Sequence, residues 1–527
     1  MSAFWSFLGN MLLFLVVLTT VICIHELGHF LFARKAGILC HEFSFGMGPR
    51  LWSTKRGETI FSIRAFPIGG SVMMAGEEIE SEVVKVGDKI RLGFDENQQV
   101  NRIVVRADNP KYQDFLEVQV EKIDLKGDTP EGLSINEFVV KANAHYVFDK
   151  VSQQIAPLNR NFNSKTKGQR FMTTFGGPMM NLILAFFVYL LSAFAFGVAI
   201  TESTVVGAVS ESLPASGVVE AGDKILAVNG VAVEAWYSDK ASLKTVNSEL
   251  SRYQDYDTVV LTVERDGQTL TLPAMIPHYI LYSLGFTSTI GSSDLVIGSP
   301  LYVKYAVEGE TPAAENALLA HDRIVSINGE TMDDWDEIIA YSLSHVSGET
   351  LDVLVDRPDV GLVHVVYTPL AANVLDAMGY DAFYARIGIS CSTGFSFFGS
   401  IRQAAENFGS AAITIYKTLW LLLTSKQVGL SDMSGFIGIY NATANAASQG
   451  IQTLLGWIGL LSVNLGIVNL LPIPALDGGR IAFIAYEAVT KRKPNQKFQN
   501  VLNTIMFFLL MGLMVFITYQ DILRLFK

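Results

Sequence analysis

The stretch VICIHELGHF, Val21 to Phe30, contains the residues of this chain that are most suited to metal chemistry. His25 and His29 are four positions apart, so on a helix their imidazoles share one face and can reach a single ion. Between them, Glu26 offers a carboxylate that can accept a proton from a metal-bound water. This H-E-x-x-H pattern is typical of zinc sites that activate water for hydrolysis.

These polar groups follow a long apolar run, because no charged side chain occurs from Ser2 to Ile24. A lone buried histidine is usually a satisfied core residue. Three polar groups at membrane depth, however, would each cost about 2 to 3 kcal/mol if they were unpaired. A shared ion explains the cluster better than three separate core positions do.

A catalytic zinc needs a third protein ligand and one open position. Asp477, in NLLPIPALDGG, is the first charged residue after the uncharged stretch Met433 to Leu476. Pro472 and Pro474 cannot continue a regular helix, and the backbone groups they expose are tolerated at membrane depth only beside protein or water. Asp477 is therefore the candidate third ligand; the alternative is a helix end with a turn at the interface.

The elements that must position these residues are membrane helices. The chain has 527 residues, 50% of them hydrophobic and 17% charged, which is too apolar for an ordinary soluble protein of this size. A cleaved signal peptide is the alternative for the first apolar run, which lacks a basic n-region. The predicted spans are Phe4 to Phe32, a run between Arg170 and Glu202, a run within Met433 to Leu476, and Gln499 to Gln520, with an interfacial or amphipathic helix at Leu419 to Leu423.

Lysine and arginine near the span ends predict the orientation. They are concentrated after the first span, before the second, and between the third and fourth. The N-terminus, the segment from 202 to about 430 and the C-terminus are therefore predicted outside. His25 and Asp477 then both lie towards the cytosolic side.

The outside segment contains an internal repeat. GDKILAVNGVAVEAW ends at Trp236 and HDRIVSINGETMDDW ends at Trp335, 99 positions later. Each copy has a strand followed by an Asn-Gly turn, and this resembles tandem PDZ domains, whose sheet edge accepts an extended peptide. A β-rich spacer without a ligand is the alternative. His321 replaces Gly222 in the second copy, so the two copies need not bind peptides equally.

The remaining features limit the function. Residues from about 77 to 160 alternate apolar and polar side chains and predict a small β domain inside the cell. A net charge of -12 gives no support for nucleic-acid binding. Cys23, Cys40 and Cys391 are far apart and indicate neither a disulfide framework nor a thiolate metal site.

HELGH in a first span, NLLPIPALDGG closing a later one, and PDZ-like modules between them resemble the site-2 protease family of intramembrane zinc metalloproteases, bacterial RseP/Eep type. The tandem PDZ-like pair resembles RseP, whereas the β insert resembles Gram-positive Eep relatives. The resemblance implies a multi-pass protein of the bacterial plasma membrane with Zn²⁺ as cofactor. It also implies that His25, His29 and Asp477 bind zinc and that Glu26 is the general base.

The same resemblance assigns a set of substrate-binding residues. FGGPMMN matches the family's GPxxN element and places Asn181 against the substrate backbone or the oxyanion; as an isolated residue it could equally join helices. Asn469 in NLLP corresponds to an asparagine near the metal loop. FSFGMGPRL and FSIRAFPIGGSV resemble membrane-dipping β segments with an edge strand, residues 61 to 72, that clamps substrate; the residues assigned there are Ile68, Gly69 and Gly70.

The predicted fold class is an α-helical membrane protein with four transmembrane helices, membrane-associated β segments, tandem PDZ-like β-rich domains outside and a small β-rich cytosolic insert. The predicted boundaries are 1–35 for the first span, 36–76 for the β segments, 77–165 for the insert, 171–201 for the second span, 202–285 and 286–390 for the PDZ-like domains, 391–450 for a linker with amphipathic helices, 451–480 for the third span and 498–522 for the fourth.

The predicted activity is hydrolysis of peptide bonds within transmembrane segments, as in regulated intramembrane proteolysis. The expected partners are transmembrane protein substrates trimmed beforehand by another protease, and membrane lipid. Two other functions are weighed against this one: a zinc-free binding protein that holds membrane clients, and a transporter. The transporter is disfavoured because the spans show no inverted repeat.

Overall fold

The computed structural model describes residues 2–76, 84–105, 108, 110–125, 133–148, 151–238, 240, 242–251, 258–301, 304–305, 317–425, 427–429 and 433–525. Only the backbone is described for Ile68. The chain forms two compact units, Met1–Tyr189 with Ser434–Lys527, and Leu190–Met433. All candidate site residues belong to the first unit.

The helices are α1 Ser2–Lys35, α2 Lys167–Phe196, α3 Val246–Leu250, α4 Trp335–Ser344, α5 Ala372–Met378, α6 Phe397–Thr424, α7 Phe436–Ser448, α8 Ile451–Leu470, α9 Asp477–Thr490 and α10 Gln496–Leu525. Within the described residues, four helical segments are long and apolar enough to cross a membrane: Phe4–Lys35, Lys167–Phe196, Ile451–Leu470 and Lys497–Leu523. These segments coincide with the four predicted spans. The prediction of four helices able to span a membrane, together with many strands, is therefore confirmed.

Small residues let the apolar helices approach each other. A Cβ built on Gly459 of α8 would lie 2.6 Å from the Tyr189 ring of α2, and one built on Gly466 would lie 3.2 Å from the Pro178 carbonyl. Close approach through glycine is the usual way in which membrane helices gain packing contacts without a hydrophobic driving force. The first two spans and α8 thus build a frame around the HELGH segment.

Two long strands follow α1, β1 Cys40–Arg56 and β2 Thr59–Met74. Both fold back on themselves, so residues 60–63 pair with 42–45 on one side and with 52–55 on the other. Residues 70–74 pair with 40–45 on one side only, and no described residue pairs with their other side. The open edge is therefore 70–74, and the predicted edge at 61–72 was wrong for its first residues.

The described part of the insert is a β domain with its own core. Its strands are β3 Lys89–Phe94, β4 Val100–Val104, β5 Leu116–Gln119, β6 Ile123–Asp124, β7 Ser134–Ile135, β8 Phe138–Phe148 and β9 Val151–Gln154. They form one sheet in the order β5-β3-β4-β8-β7-β6, with β9 also on β8. Ile90, Ile103 and Ile135 are completely buried in it. The acidic residues 77–80 that open the insert lie outside the described residues.

The second unit is built from strands β10 Val198–Ala199, β11 Val206–Val209, β12 Lys224–Val228, β13 Val231–Ala232, β14 Leu261–Arg265, β15 Gln268–Thr271, β16 His278–Leu281, β17 Phe286–Ser288, β18 Ile297–Pro300, β19 Lys304–Tyr305, β20 Arg323–Ile327, β21 Glu330–Thr331, β22 Leu351–Arg357, β23 Gly361–Thr368, β24 Phe383–Arg386, β25 Ile389–Cys391 and β26 Thr393–Gly394. Its three larger sheets run β13-β12-β14-β15, β18-β17-β16-β24 and β19-β23-β22-β20-β21. The first of these contains the first copy of the repeat, and the last contains the second copy.

The sheets that contain the two copies of the repeat have an Asp–Arg ion pair and a backbone turn in common. Asp223 pairs with Arg265 at 2.7 Å, and Asp322 pairs with Arg357 at 2.8 Å. His321 replaces Gly222 in the second copy. Both residues have a positive φ, 72° at His321 and 102° at Gly222. The backbone turn is therefore kept despite the change of residue. A Pro-Ala pair precedes each copy of the repeat, at Pro214 and Pro312, and Pro312 lies outside the described residues.

Near the module boundaries, some strands belong to a different module from the one in whose predicted range they lie. Tyr279 and Leu281 of β16 belong to the second core, whereas the first core ends at Met275 and regains Ile387 after the second copy. β24 pairs with β16, and β25 then pairs with β11 of the first copy. The first module thus ends about ten residues before position 285 and is completed by chain that follows the second module.

Candidate active site

The three predicted metal ligands meet at one point. His25 Nε2 lies 3.0 Å from Asp477 Oδ2, and His29 Nε2 lies 3.3 Å from the same oxygen. The two Nε2 atoms are 3.2 Å apart. Two atoms are nitrogens of α1, and the third comes from the first residue of α9, 452 positions from His25. Among the described residues this is the one cluster of three such side chains that could hold a metal ion.

This geometry suits a tetrahedral zinc. Zinc binds imidazole nitrogen and carboxylate oxygen at about 2.0 to 2.2 Å, which places neighbouring ligand atoms of a tetrahedron roughly 3.3 Å apart. The three observed separations of 3.0, 3.2 and 3.3 Å lie close to that edge length. His25 and His29 are buried, with 6% and 8% exposed. Three ligands leave the fourth position that a catalytic zinc requires.

The rear nitrogen of His29 fixes its orientation. His29 Nδ1 lies 2.9 Å from the carbonyl oxygen of Thr173 in α2. A carbonyl can only accept, so Nδ1 carries the proton and the lone pair of Nε2 points at the site. This arrangement is the usual support of a metal-bound histidine.

Asn181 provides the corresponding contact for His25. Its amide nitrogen lies 3.5 Å from His25 Nδ1, while its Oδ1 is buried with no hydrogen-bond partner among the described residues. The oxygen and nitrogen of an amide are interchangeable by rotation, and the rotated form would accept the Nδ1 proton and satisfy Oδ1. Since Asn181 is 0% exposed, it lies behind the ligand rather than at a surface where substrate would be expected to bind.

Glycines bring α1 and α2 together at the metal ligands. A Cβ on Gly28 would lie 2.0 Å from the Gly176 carbonyl oxygen. A Cβ on Gly177 would lie 2.3 Å from His29 Nε2 and 2.8 Å from His25 Nε2. A side chain at Gly177 would therefore occupy the space of the ion. No role for these glycines was predicted from the sequence, although two adjacent glycines inside a helix, Gly176 and Gly177, cost stability and so indicate a close approach.

The loop before α9 turns Asp477 into the site. Ala475 has a φ of 75°, a conformation uncommon for residues other than glycine. A Cβ on Gly478 would lie 2.1 Å from the Leu471 carbonyl oxygen, and one on Gly479 would lie 2.4 Å from that of Ile473. The two glycines after Asp477 are therefore required by the fold of the loop.

Glu26 packs beside the first residue of the open strand edge. A Cβ on Gly70 would lie 3.0 Å from Glu26 Cγ, so the absence of a side chain lets the strand lie close to Glu26. Gly69 has a φ of 90° and packs near Met47, while the side chain of Ile68 is outside the description. Of the three predicted strand residues, the structure places Gly70 beside Glu26.

Asn469 lies in the last turn of α8, half-buried. Eight positions separate it from Asp477 along the chain. The Asn181 side chain contacts the metal ligand His25, whereas the Asn469 side chain makes no hydrogen bond to any of the three metal ligands, all of which are described residues.

Comparison with known proteins identifies the class. Residues 13–513 match Peptidase family M50. The chain therefore belongs to this family, and the predicted class, a site-2-type metalloendopeptidase of the membrane, is confirmed.

Several relatives are similar over the whole chain. A "Zinc metalloprotease RasP" of Shouchella clausii is 32% identical across 99% of this chain and 100% of the relative. A "Zinc metalloprotease RasP" of Geobacillus kaustophilus is 31% identical across 98% and 99%. The "Regulator of sigma-W protease RasP" of Bacillus subtilis is 30% identical across 99% and 100%.

Proposed function

We propose that this chain is a zinc-dependent intramembrane endopeptidase that cuts peptide bonds within transmembrane segments of other proteins. The observation that carries the proposal is the convergence of His25, His29 and Asp477 on one point inside the apolar frame, with Glu26 next to His25 in α1. The relatives named as zinc metalloproteases support zinc as the metal.

Each side chain has a separate task. His25, His29 and Asp477 hold the metal, which when bound polarises the scissile carbonyl and makes a water more acidic. Glu26 accepts the proton of the attacking water and passes it to the leaving nitrogen. The Thr173 carbonyl keeps the proton of His29 on Nδ1, and Asn181 does the same for His25.

The strand edge at residues 70–74 presents the substrate. A transmembrane helix pairs all of its own backbone groups, so it must unwind before a peptide bond can be attacked. An open edge offers replacement hydrogen bonds to an extended chain. Ile68, Gly69, Gly70 and Asn469 are proposed to contact that chain, and the lack of a side chain at Gly70 brings it within reach of Glu26.

The sheet is suited to lie in lipid. Among the residues whose exposure is described, its exposed apolar side chains are Phe45, Met47, Leu51, Trp52, Ile63, Phe66 and Met73. A soluble domain rarely exposes such a contiguous apolar surface, whereas a segment within the bilayer gains stability from it. The distribution of lysine and arginine supports a site on the cytosolic side, with both termini and the second unit outside.

The modules of the second unit are proposed to be PDZ-like domains that exclude bulky ectodomains, so that only trimmed substrates reach the metal. Strand β25 of the first module pairs on one side with β11, and no other described strand pairs with it. Strand β17 of the second module is paired on both sides, with β16 and β18. This difference favours the first module as the one that accepts a peptide.

Anti-sigma factors, signal-peptide remnants and pheromone precursors are the substrate classes considered, and the name of the Bacillus subtilis relative favours anti-sigma factors.

The test compares the full chain with Glu26→Gln in proteoliposomes that contain a model transmembrane substrate. We expect both proteins to bind one zinc and only the wild type to cut. Equal turnover would refute the role of Glu26, and a wild type that neither binds zinc nor cuts would support the zinc-free binding protein instead. The Glu26→Gln protein also serves to trap membrane clients for identification by mass spectrometry.

A further inference from the structure

The placement of Asp477 depends on a helix that has little apolar anchorage. Asp477 is the first residue of α9, and the loop before it interrupts the helix that precedes it. The buried residues of α9 are Gly478, Gly479, Ile484 and Glu487. Ile484 is thus the one buried residue of α9 that has an apolar side chain, so apolar packing alone stabilises the position of α9 only weakly.

The far end of α9 is instead held by charge. Glu487 Oε2 lies 2.7 Å from Arg170 Nη2, and the two side chains are 8% and 10% exposed. Lys167 Nζ donates to the Glu487 carbonyl oxygen at 3.0 Å, near the C-terminal end of the helix, where a cation is favoured. Arg170 and Glu487 are 317 positions apart in the chain.

The helix at the other end of this ion pair also supports the metal ligands. Arg170 belongs to α2, and Thr173, which accepts from His29, is less than one turn further along. Glu487 lies ten residues beyond Asp477, or about 15 Å along the axis of α9. The pair therefore ties the helix of the carboxylate ligand to the helix that orients an imidazole ligand.

We infer that Arg170 and Glu487 are positioning residues, which hold α9 at the angle at which the Asp477 carboxylate reaches both imidazoles. This inference rests on the proposed function. A buried ion pair is weak evidence for stability, but it can specify one arrangement of two elements. Removal of one partner leaves a buried charge, which is relieved when the end of α9 moves towards water, and the opposite end carries the ligand.

The test uses the purified full chain with Glu487→Gln, Arg170→Gln and the reciprocal exchange Arg170→Glu with Glu487→Arg. Glu406→Gln is the matched control, because Glu406 pairs with Arg402 at the same 2.7 Å but is exposed. Zinc affinity is measured by competition with a chelator, and kcat and KM are measured with a model transmembrane substrate at low and at saturating zinc. Loss of a supporting residue typically weakens metal binding about 10- to 100-fold.

We expect each single variant to bind zinc about 10- to 100-fold more weakly, with KM unchanged and kcat restored by excess zinc. The exchange should regain most of the affinity, and the control should match the wild type. Single variants that bind zinc as tightly as the wild type would refute the inference, as would an exchange that restores nothing. If the single variants do not accumulate, an exchange that accumulates with wild-type affinity supports the pairing, and one that does not overturns it. A wild type without zinc or activity would instead overturn the proposed function.

Discussion

A side chain at Gly177 should remove the metal without disturbing the helix that carries it. An added Cβ would lie 2.3 Å from His29 Nε2, whereas ordinary contact begins at 3.4 Å. The imidazole or α2 must therefore move by roughly 1 Å, while zinc sites tolerate ligand displacements of about 0.2 Å. Gly177→Ala is thus expected to displace a ligand well beyond that tolerance.

The backbone itself permits the substitution. Gly177 lies inside α2 and its φ is not positive, so alanine favours the helix there by about 1 kcal/mol relative to glycine. Loss of activity would then come from the site and not from the fold. Gly168→Ala is the matched control, because it lies in the same helix and an added Cβ would meet nothing within 4 Å.

The assay is zinc content of the purified full chain by mass spectrometry, together with cleavage of a model transmembrane substrate. We expect Gly177→Ala to retain little zinc and to lose at least about 100-fold in kcat/KM, as expected when a site is displaced by about 1 Å. Gly168→Ala should equal the wild type in both. Full zinc occupancy and normal cleavage by Gly177→Ala would refute the placement of the ion between the two imidazoles.

Further predictions concern the general base Glu26, the support of His25, and the β junction, which is the start of β1 around His41. Glu26→Gln should keep its zinc and lose about 10²- to 10⁴-fold in kcat, measured in proteoliposomes; a smaller loss would place the general base elsewhere. Asn181→Leu should weaken zinc binding about 10- to 100-fold in chelator competition, whereas Asn181→Asp keeps an acceptor and should lose less; equal effects would exclude the proposed contact. Burial, with the nearby charge of Arg160, lowers the pKa of His41 to about 4, below its ordinary value of 6.5. The unfolded chain therefore binds the extra proton first as pH falls, so the stability of the β junction around His41 should decline from pH 6.5 towards 4, by about 2 kcal/mol at pH 5. Hydrogen exchange at residues near 40 measures this loss, and His41→Leu should abolish it; an unchanged slope in that variant would assign the effect to another group.

The positions of the metal ligands could be predicted because each has a local sequence signal. The four-residue spacing of His25 and His29 fixes a shared helix face. Asp477 stands out as the first charge after a long uncharged stretch that two prolines interrupt. These signals are short-range, and the structure brings the three side chains together.

The contacts that depend on tertiary packing could not be predicted in this way. The close approach of Gly28 to Gly176 requires the crossing of α1 and α2, which periodicity does not specify. The contact of Asn181 with His25, at 3.5 Å from its Nδ1, depends on the same crossing. A glycine pair indicates that something approaches, and only the fold shows what.

The order of the strands in the sheets was the other feature that could not be predicted from the sequence. Residues 60–63 and 70–74 both lack charged side chains, yet only the second range lies at an edge, because β1 inserts between them. Likewise, the return of β25 to the first module joins segments on either side of the whole second module. Pairings between distant strands have no signature in either strand alone.

X-ray absorption at the zinc edge, on the zinc-loaded full chain, measures whether His25, His29 and Asp477 bind one ion. We expect two imidazole nitrogens at about 2.0 to 2.1 Å and one carboxylate oxygen at about 2.0 to 2.2 Å, with the imidazole signal kept and the protein oxygen lost in Asp477→Ala. A shell that contains sulfur, lacks a second imidazole, or is identical in Asp477→Ala would contradict this expectation.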